Sequence, residues 1–152
     1  MQPTPVSTTK DDAVGRIVTP VVIENYADVE NAAAGLIPPE AIRRVEVPDA
    51  LVDTGASALS LAPSLIEGLG LRPIGQRNAR TTVGVLPVTV YSAVRLSIQD
   101  RDSVVKVAEV PEGSPVLIGQ LPLEEMDLVL SPAQGTLIPN PAHGGEWMIE
   151  LY

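Results

Sequence analysis

In the run Leu51-Val52-Asp53-Thr54-Gly55-Ala56-Ser57, an apolar stretch delivers one carboxylate into a tight, glycine-permitted turn. Chemically, that is half of a site. A lone aspartate at neutral pH is an ordinary anion, but two such loops facing each other bring like charges too close for both to ionise together. One keeps its proton, the other acts as base, and a water held between them becomes a nucleophile. The Asp-Thr-Gly triplet occurs once in the 152 residues. The second carboxylate must therefore come from a second copy of the chain.

Three specified residues recur by chance in roughly a few per cent of chains this long, so the weight falls on the elements around them. Arg43 to Val52 reads as the strand that carries the loop, and the alternating Ala58-Leu59-Ser60-Leu61 reads as a strand leaving it. Arg16 to Glu24 is a first strand. Tyr26 to Glu40, with Asn31-Ala-Ala-Ala-Gly35 and Pro38-Pro39, is expected to be a long surface loop holding at most one helical turn. Pro63 to Leu69 fits a short helix, with proline in its first turn and Gly70 at its end. Pro73 to Ile98 reads as a long hairpin whose arms, around Gln76 to Thr82 and Val88 to Ile98, flank Val83-Gly84-Val85-Leu86. A turn at Asp100-Arg101-Asp102-Ser103 leads to a strand from Val104 to Val110. The apolar Pro115-Val116-Leu117-Ile118-Gly119 comes next, then a helical pattern from Leu121 to Met126 and a Pro-rich tail from Ser131.

A triplet between two strands, with a second apolar strand ending in glycine about sixty residues later, resembles the retropepsin-like aspartic proteases, most closely their small bacterial single-domain members. The shared-proton logic above is the one established for aspartic proteases. The resemblance runs from about Gly15 to the C-terminus and implies an all-β, closed barrel-like fold with one or two short helices. It makes Asp53 the catalytic carboxylate and Thr54 the residue whose hydroxyl grips the partner loop. Gly55 then supplies backbone close to water and substrate. Ala56 stands where pepsins usually carry a hydroxyl, which matches the retroviral pattern. Ile118 and Gly119 correspond to the strand packed behind the loop, but Gln120 replaces the retroviral arginine and Ser57 the aspartate that pairs it, so the dimer must be held differently. The hairpin corresponds to a flap folded over the substrate, with Val83, Gly84 and Val85 at its tip and Gly75 as a weaker tip candidate. By the same resemblance Met148-Ile149-Glu150-Leu151-Tyr152, an apolar end, is expected to interleave with or pack on a partner chain.

Composition agrees. Apolar residues make up 45% of the chain with only 3% aromatic, alongside 12 Gly and 15 Pro, which suits short strands and many turns. Residues 1–12 are expected to be a flexible tail and 13–152 one domain. The net charge of −9 disfavours nucleic acid and anionic membrane as partners. With no cysteine there is no disulfide framework, thiolate nucleophile or cysteine zinc site. Neither metal nor cofactor is expected. Nothing approaches the length of a membrane span and residues 1–12 lack the apolar core of a signal peptide, so a cytoplasmic protein is the expectation.

His143, the single histidine, reads as a solvated loop imidazole with no obvious orienting acid, and no histidine is placed to activate Ser57 or Ser60. Gly144-Gly145 lacks the lysine and following helix of a phosphate loop. Glu124-Glu125 reads as the exposed side of a short helix, and Tyr91 and Trp147 as packing residues. The function expected is a homodimeric aspartic endopeptidase acting on extended peptides. A catalytically silent dimerisation or protein-binding module of the same fold is the alternative, and an unrelated small β domain the third.

Overall fold

The computed structural model describes residues 16–151. The expected tail at 1–12 and the terminal Tyr152 lie outside the described residues. Nine strands and three short helices follow one another as β1 (Ile17–Asn25), α1 (Tyr26–Ala33), β2 (Arg44–Val52), β3 (Leu59–Leu61), α2 (Pro63–Gly68), β4 (Pro73–Thr81), β5 (Gly84–Ile98), β6 (Arg101–Glu109), β7 (Leu117–Ile118), α3 (Gln120–Met126), β8 (Leu128–Ser131) and β9 (Thr136–Pro139).

Six strands close on themselves in the order β1-β2-β7-β3-β6-β5, with β5 returning to β1 and β4 hanging outside the ring on β5. Within this sheet, among the described residues, closure leaves β4 as the strand with a free edge. The ring is shut where Glu24 and Arg95 stand directly opposite each other on β1 and β5. There Arg95 Nη2 and Nε donate to Glu24 Oε1 at 2.7 and 2.9 Å. Inside lie Ile23, Leu59, Leu61, Val94, Leu96, Val107 and Ile118, all fully or almost fully buried. Each such aliphatic side chain contributes roughly 1.5–3 kcal/mol relative to exposure. Leu123 and Met126 of α3 and Leu137 of β9 complete this cluster.

β5 is two structures in one strand. From Val94 to Ile98 every second residue is buried, the pattern of a barrel wall. From Gly84 to Pro87 every residue is exposed, and the pairing with β6 slips between Tyr91 and Val94. Above that irregularity β4 and β5 project as a two-stranded ribbon from Arg77↔Val88 to Thr81↔Gly84.

Several sequence expectations need correction. Residues 26–33 form a two-turn helix, not a loop. Asn25 caps it by accepting from Asp28 N–H at 3.1 Å. Asp28 is held in turn by Arg43, whose Nε and Nη2 donate to its two oxygens at 2.9 and 3.1 Å. The turn before β6 is only Gln99-Asp100, so Arg101 begins a strand. Its buried guanidinium donates to the carbonyls of Met126, Asp127 and Gly145 at 3.0, 2.9 and 2.8 Å. Trp147 sits 5.9 Å from that group, ring centre to Cζ, and is itself exposed. The start of the Pro-rich tail is not irregular, since β8, ending at Ser131, pairs with β9 as a hairpin. Gly75 marks a slip in the β4–β5 register, not a tip. Glu124 and Glu125 are exposed as expected, although Glu125 also accepts from Ser103 Oγ.

His143 is not a solvated imidazole either. Its Nδ1 lies 2.6 Å from Asp127 Oδ2 and its Nε2 3.0 Å from Glu150 Oε2. Asp127 also accepts from Asn140 Nδ2 at 3.1 Å and Met148 N–H at 3.2 Å. Residues 146–151 thus lack regular structure but are fastened through this cluster, with Ile149 and Leu151 exposed. Hydrogen bonding to Asp127, then to Glu150, raises the His143 pKa above its ordinary value, and hydrogen bonding to His143 lowers that of Asp127. The imidazolium therefore contributes stability that is fully present below the unfolded histidine value of about 6.5 and is lost as pH rises through the raised folded value. The Asp127 contribution is lost at the acid end, as pH falls through its lowered value. Denaturant unfolding of His143→Gln against the parent chain is expected to show a stability gap that is widest near pH 5–6 and narrows toward alkaline pH. A gap independent of pH would contradict this arrangement.

Candidate functional site

β2 leaves the barrel at Val52, and the chain turns at once. Asp53 N–H donates to Ile118 O at 2.9 Å, while Leu51 N–H donates to Val116 O at 2.8 Å. The two strands run parallel there, pairing Leu51 with Leu117 and Val52 with Ile118. β3 runs antiparallel on the other side of β7, with Leu59 opposite Ile118. The short β7 is therefore a wedge between the strands that enter and leave the Asp53 loop. Three more backbone bonds fasten the loop to the start of α3, namely Gly119 N–H to Ala58 O at 2.9 Å, Gln120 N–H to Ala56 O at 2.8 Å, and Leu121 N–H to Ser57 O at 3.1 Å.

Gly119 is a glycine for reasons of space. Its φ of −85° is open to any residue. A Cβ on it would lie 2.5 Å from both Ala58 N and Ser57 C and 2.7 Å from Ala58 O. These are backbone atoms, which cannot swing away as a side chain can. Gly55 meets a milder limit, since its Cβ would stand 3.2 Å from Asp53 Oδ1. That oxygen accepts Gly55 N–H at 3.0 Å, and Ala56 N–H donates to Asp53 O at 3.1 Å. The loop thus fixes its own carboxylate with one oxygen engaged. Asp53 is partly exposed and Thr54 and Gly55 are exposed, so this face of the loop is open.

In front of the loop is a cleft of about 520 Å3. Gly55, Ala56 and Ser57 form its floor, Val88 and Val90 one wall, and Arg77 to Thr81 of β4 the overhang. The β4–β5 ribbon ends in the turn Thr82-Val83, with Thr81 Oγ1 donating to Gly84 O at 2.8 Å and accepting Val83 N–H at 3.2 Å. Val83 belongs to that turn, whereas Gly84 and Val85 already belong to β5, so the tip sits one to two residues earlier than the sequence suggests. Neither Thr82 nor Val83 has a positive φ, and Gly84 takes φ +120° directly after them, where a side chain is strained. Val83, Val85 and Leu86 are exposed apolar side chains at this end.

The structure therefore brings Asp53, Thr54, Gly55, Ala56, Ile118 and Gly119 together; Gly55 and Ala56 line the cleft with Arg77 to Thr81 of the ribbon, while Val83, Gly84 and Val85 lie beyond that lining at the ribbon's end. Sequence reasoning missed the residues of the overhang, Arg77 and Arg80 above all. One signal was available: no acidic residue occurs between Glu67 and Asp100 in a chain of net charge −9, while Arg72, Arg77, Arg80 and Arg95 do. The His143 cluster is a separate fastening for the C-terminal segment, on the face formed by α3 and β8.

Residues 42–121 match the family model for aspartyl proteases. That stretch is more than half of the chain and runs from the approach to β2, through the Asp53 loop, the ribbon and β6, to the first residues of α3. The chain belongs to the aspartyl protease family, and its closed barrel with a few short helices is the single-domain retropepsin-like fold. No curated protein matches the chain at a significant level. Among the described residues, no helix is long and apolar enough to cross a membrane.

The contrast between the two glycines is directly measurable. Gly119→Ala forces the loop off its wedge and is expected to lower stability by roughly 1–3 kcal/mol, the usual cost of overpacking a close-fitted site. Gly55→Ala asks only a few tenths of an ångström from a carboxylate oxygen and should cost distinctly less. Equal shifts of the two urea midpoints would contradict the wedge geometry.

Proposed function

We propose that two copies of this chain assemble about a two-fold axis as an aspartic endopeptidase, each contributing Asp53 to one shared site. The observation that carries this reading is the single Asp53-Thr54-Gly55 loop, backed by β7 through main-chain hydrogen bonds and bordering, through Gly55 and Ala56, a cleft of about 520 Å3. Facing Asp53 carboxylates share one proton. The ionised member takes a proton from a water between them, the resulting oxygen attacks the scissile carbonyl carbon, and the protonated member donates to the carbonyl oxygen. As the tetrahedral adduct collapses, the carboxyl that took the water proton passes it to the leaving nitrogen, the C–N bond breaks, and the other carboxylate recovers its proton from the adduct hydroxyl. With Gly55 N–H holding one oxygen of its own Asp53, the other faces water and substrate. The Thr54 hydroxyl braces the partner loop, and Ala56 leaves that end of the carboxylate without a hydroxyl donor.

The ribbon of β4 and β5 acts as the flap. It is exposed on both faces and paired only with itself beyond Val88, so it can descend over a peptide and exclude water without disturbing the barrel. The exposed Ile149 and Leu151 of the C-terminal segment are the apolar surface offered to the partner.

Specific activity is expected to fall as the protein is diluted through its dimer dissociation constant, and deletion of residues 148–152 should dissociate the dimer in sedimentation. Activity should trace a bell in pH with its maximum on the acidic side of neutrality, since only the singly protonated pair is productive. Asp53→Asn should lower kcat/KM by at least about 10³-fold while leaving fold and assembly intact. Undiminished cleavage by Asp53→Asn, or full activity in a strictly monomeric species, would sink the proposal.

A further inference from the structure

The cleft that begins at Gly55 and Ala56 of the Asp53 loop has apolar walls at Val88 and Val90 and a cation, Arg77, on the ribbon arm. Arg77 stands opposite Val88 in the β4–β5 register, so the two side chains share a face of the ribbon. It borders both the 520 Å3 cleft and the adjoining cleft of about 480 Å3, which also holds Lys106, Val105 and Leu121. Arg80 also borders the first of these, but it lies an odd number of residues from Arg77 and pairs with Val85, so its side chain projects from the opposite face of the ribbon. Among the described residues, no carboxylate lies within ion-pair distance of Arg77, Arg80 or Lys106, whereas Arg43, Arg44 and Arg95 are all paired. The one polar contact of Arg77 is from Nη1 to the neighbouring Gln76 O at 3.2 Å. Glu109, the acid lining the same cleft, already accepts Tyr91 OH at 2.6 Å.

Arg77 and Lys106 are cations without a carboxylate partner among the described residues that border apolar clefts, in a chain of net charge −9. The net acidic chain repels an acidic ligand in general; at Arg77 the local charge attracts one, and the apolar walls of Val88 and Val90 strengthen that contact by limiting water. The planar guanidinium of Arg77 presents paired donors that match a carboxylate.

We infer that the cleft selects peptides carrying Asp or Glu within about three residues of the bond that is cut, roughly 10 Å of extended chain, with Arg77 as the principal recognition group and Lys106 adding to the field. The inference rests on the peptidase reading of this cleft. Its side-chain chemistry asks for alternation in the substrate, with apolar residues against Val88 and Val90 and a carboxylate against the ribbon arm.

Binding separates this inference from catalysis. A set of matched fluorescent peptides, identical except for Glu, Gln or Lys scanned through the three positions on each side of a central apolar pair, is titrated against the Asp53→Asn protein by anisotropy. At one or more positions Glu should bind about tenfold more tightly than Gln, a magnitude expected of a charge-assisted hydrogen bond, with Lys weaker still. The gap should shrink near 0.5 M salt. Arg77→Lys should keep a reduced preference for Glu, and Arg77→Glu should reverse the order in favour of Lys. Equal binding of the three peptides at every position, or an unchanged order in Arg77→Glu, overturns the inference. If the Glu preference is present but the parent chain cleaves none of the peptides, the peptidase reading fails and the recognition stands. Cleavage of the Glu, Gln and Lys peptides with equal kcat/KM has the opposite meaning.

Discussion

The contact between Gly119 and the backbone of Ser57 and Ala58 is the constraint on which the rest of the molecule depends. Two pieces of main chain approach so closely there that no Cβ fits between them. The backbone bonds from Asp53, Gly119, Gln120 and Leu121 follow from that approach. Without it β7 could not stand between β2 and β3, and the barrel would lose the only strand joining its two sides at that point. The site and the fold are thus held by one contact. Because its members are backbone atoms, the position of Asp53 is set by main-chain hydrogen bonding and hardly at all by side-chain rotamers.

A second division of labour lies along β5. Its later half belongs to the core, through Val94, Leu96 and Ile98, while its earlier half supports the ribbon that overhangs the cleft. The slip in pairing between Tyr91 and Val94 separates the two regimes. Irregularities of this kind increase local twist and redirect a strand, which is how one continuous segment serves first as overhang and then as wall. Hydrogen bonding within the ribbon is local, so bending at the slip leaves the barrel ladder intact.

How much of this could be read from sequence depended on whether the stabilising partner was near or far along the chain. The Asp53 loop was legible because glycine and the flanking apolar runs lie within seven residues of one another. So was α2, with Pro63 at its start and Gly70 after its end. The helix at Tyr26–Ala33 was not, because what favours it beyond the Asn25 cap is the Arg43 clasp on Asp28, fifteen residues away. Arg101 was read as part of a turn because a charged residue among aspartates resembles one. Its burial becomes tolerable only through carbonyls at Met126, Asp127 and Gly145. His143 was misjudged for the same reason, since Asp127 and Glu150 meet it only in three dimensions. The hairpin of β8 and β9, with strands of four residues, is too short to show a period.

The ribbon has one further property. None of its side chains from Gln76 to Pro87 enters the buried cluster that holds the barrel together. Substitutions at exposed positions of this kind usually change stability by no more than about 0.5 kcal/mol. The wedge beneath Asp53 allows no such freedom, because a single methyl group already exceeds the space. One half of the cleft is therefore mutable at almost no thermodynamic risk while the other is frozen. A chain built this way can exchange what it grips by drift or by design, one surface residue at a time, without ever placing at hazard the loop that would do the cutting.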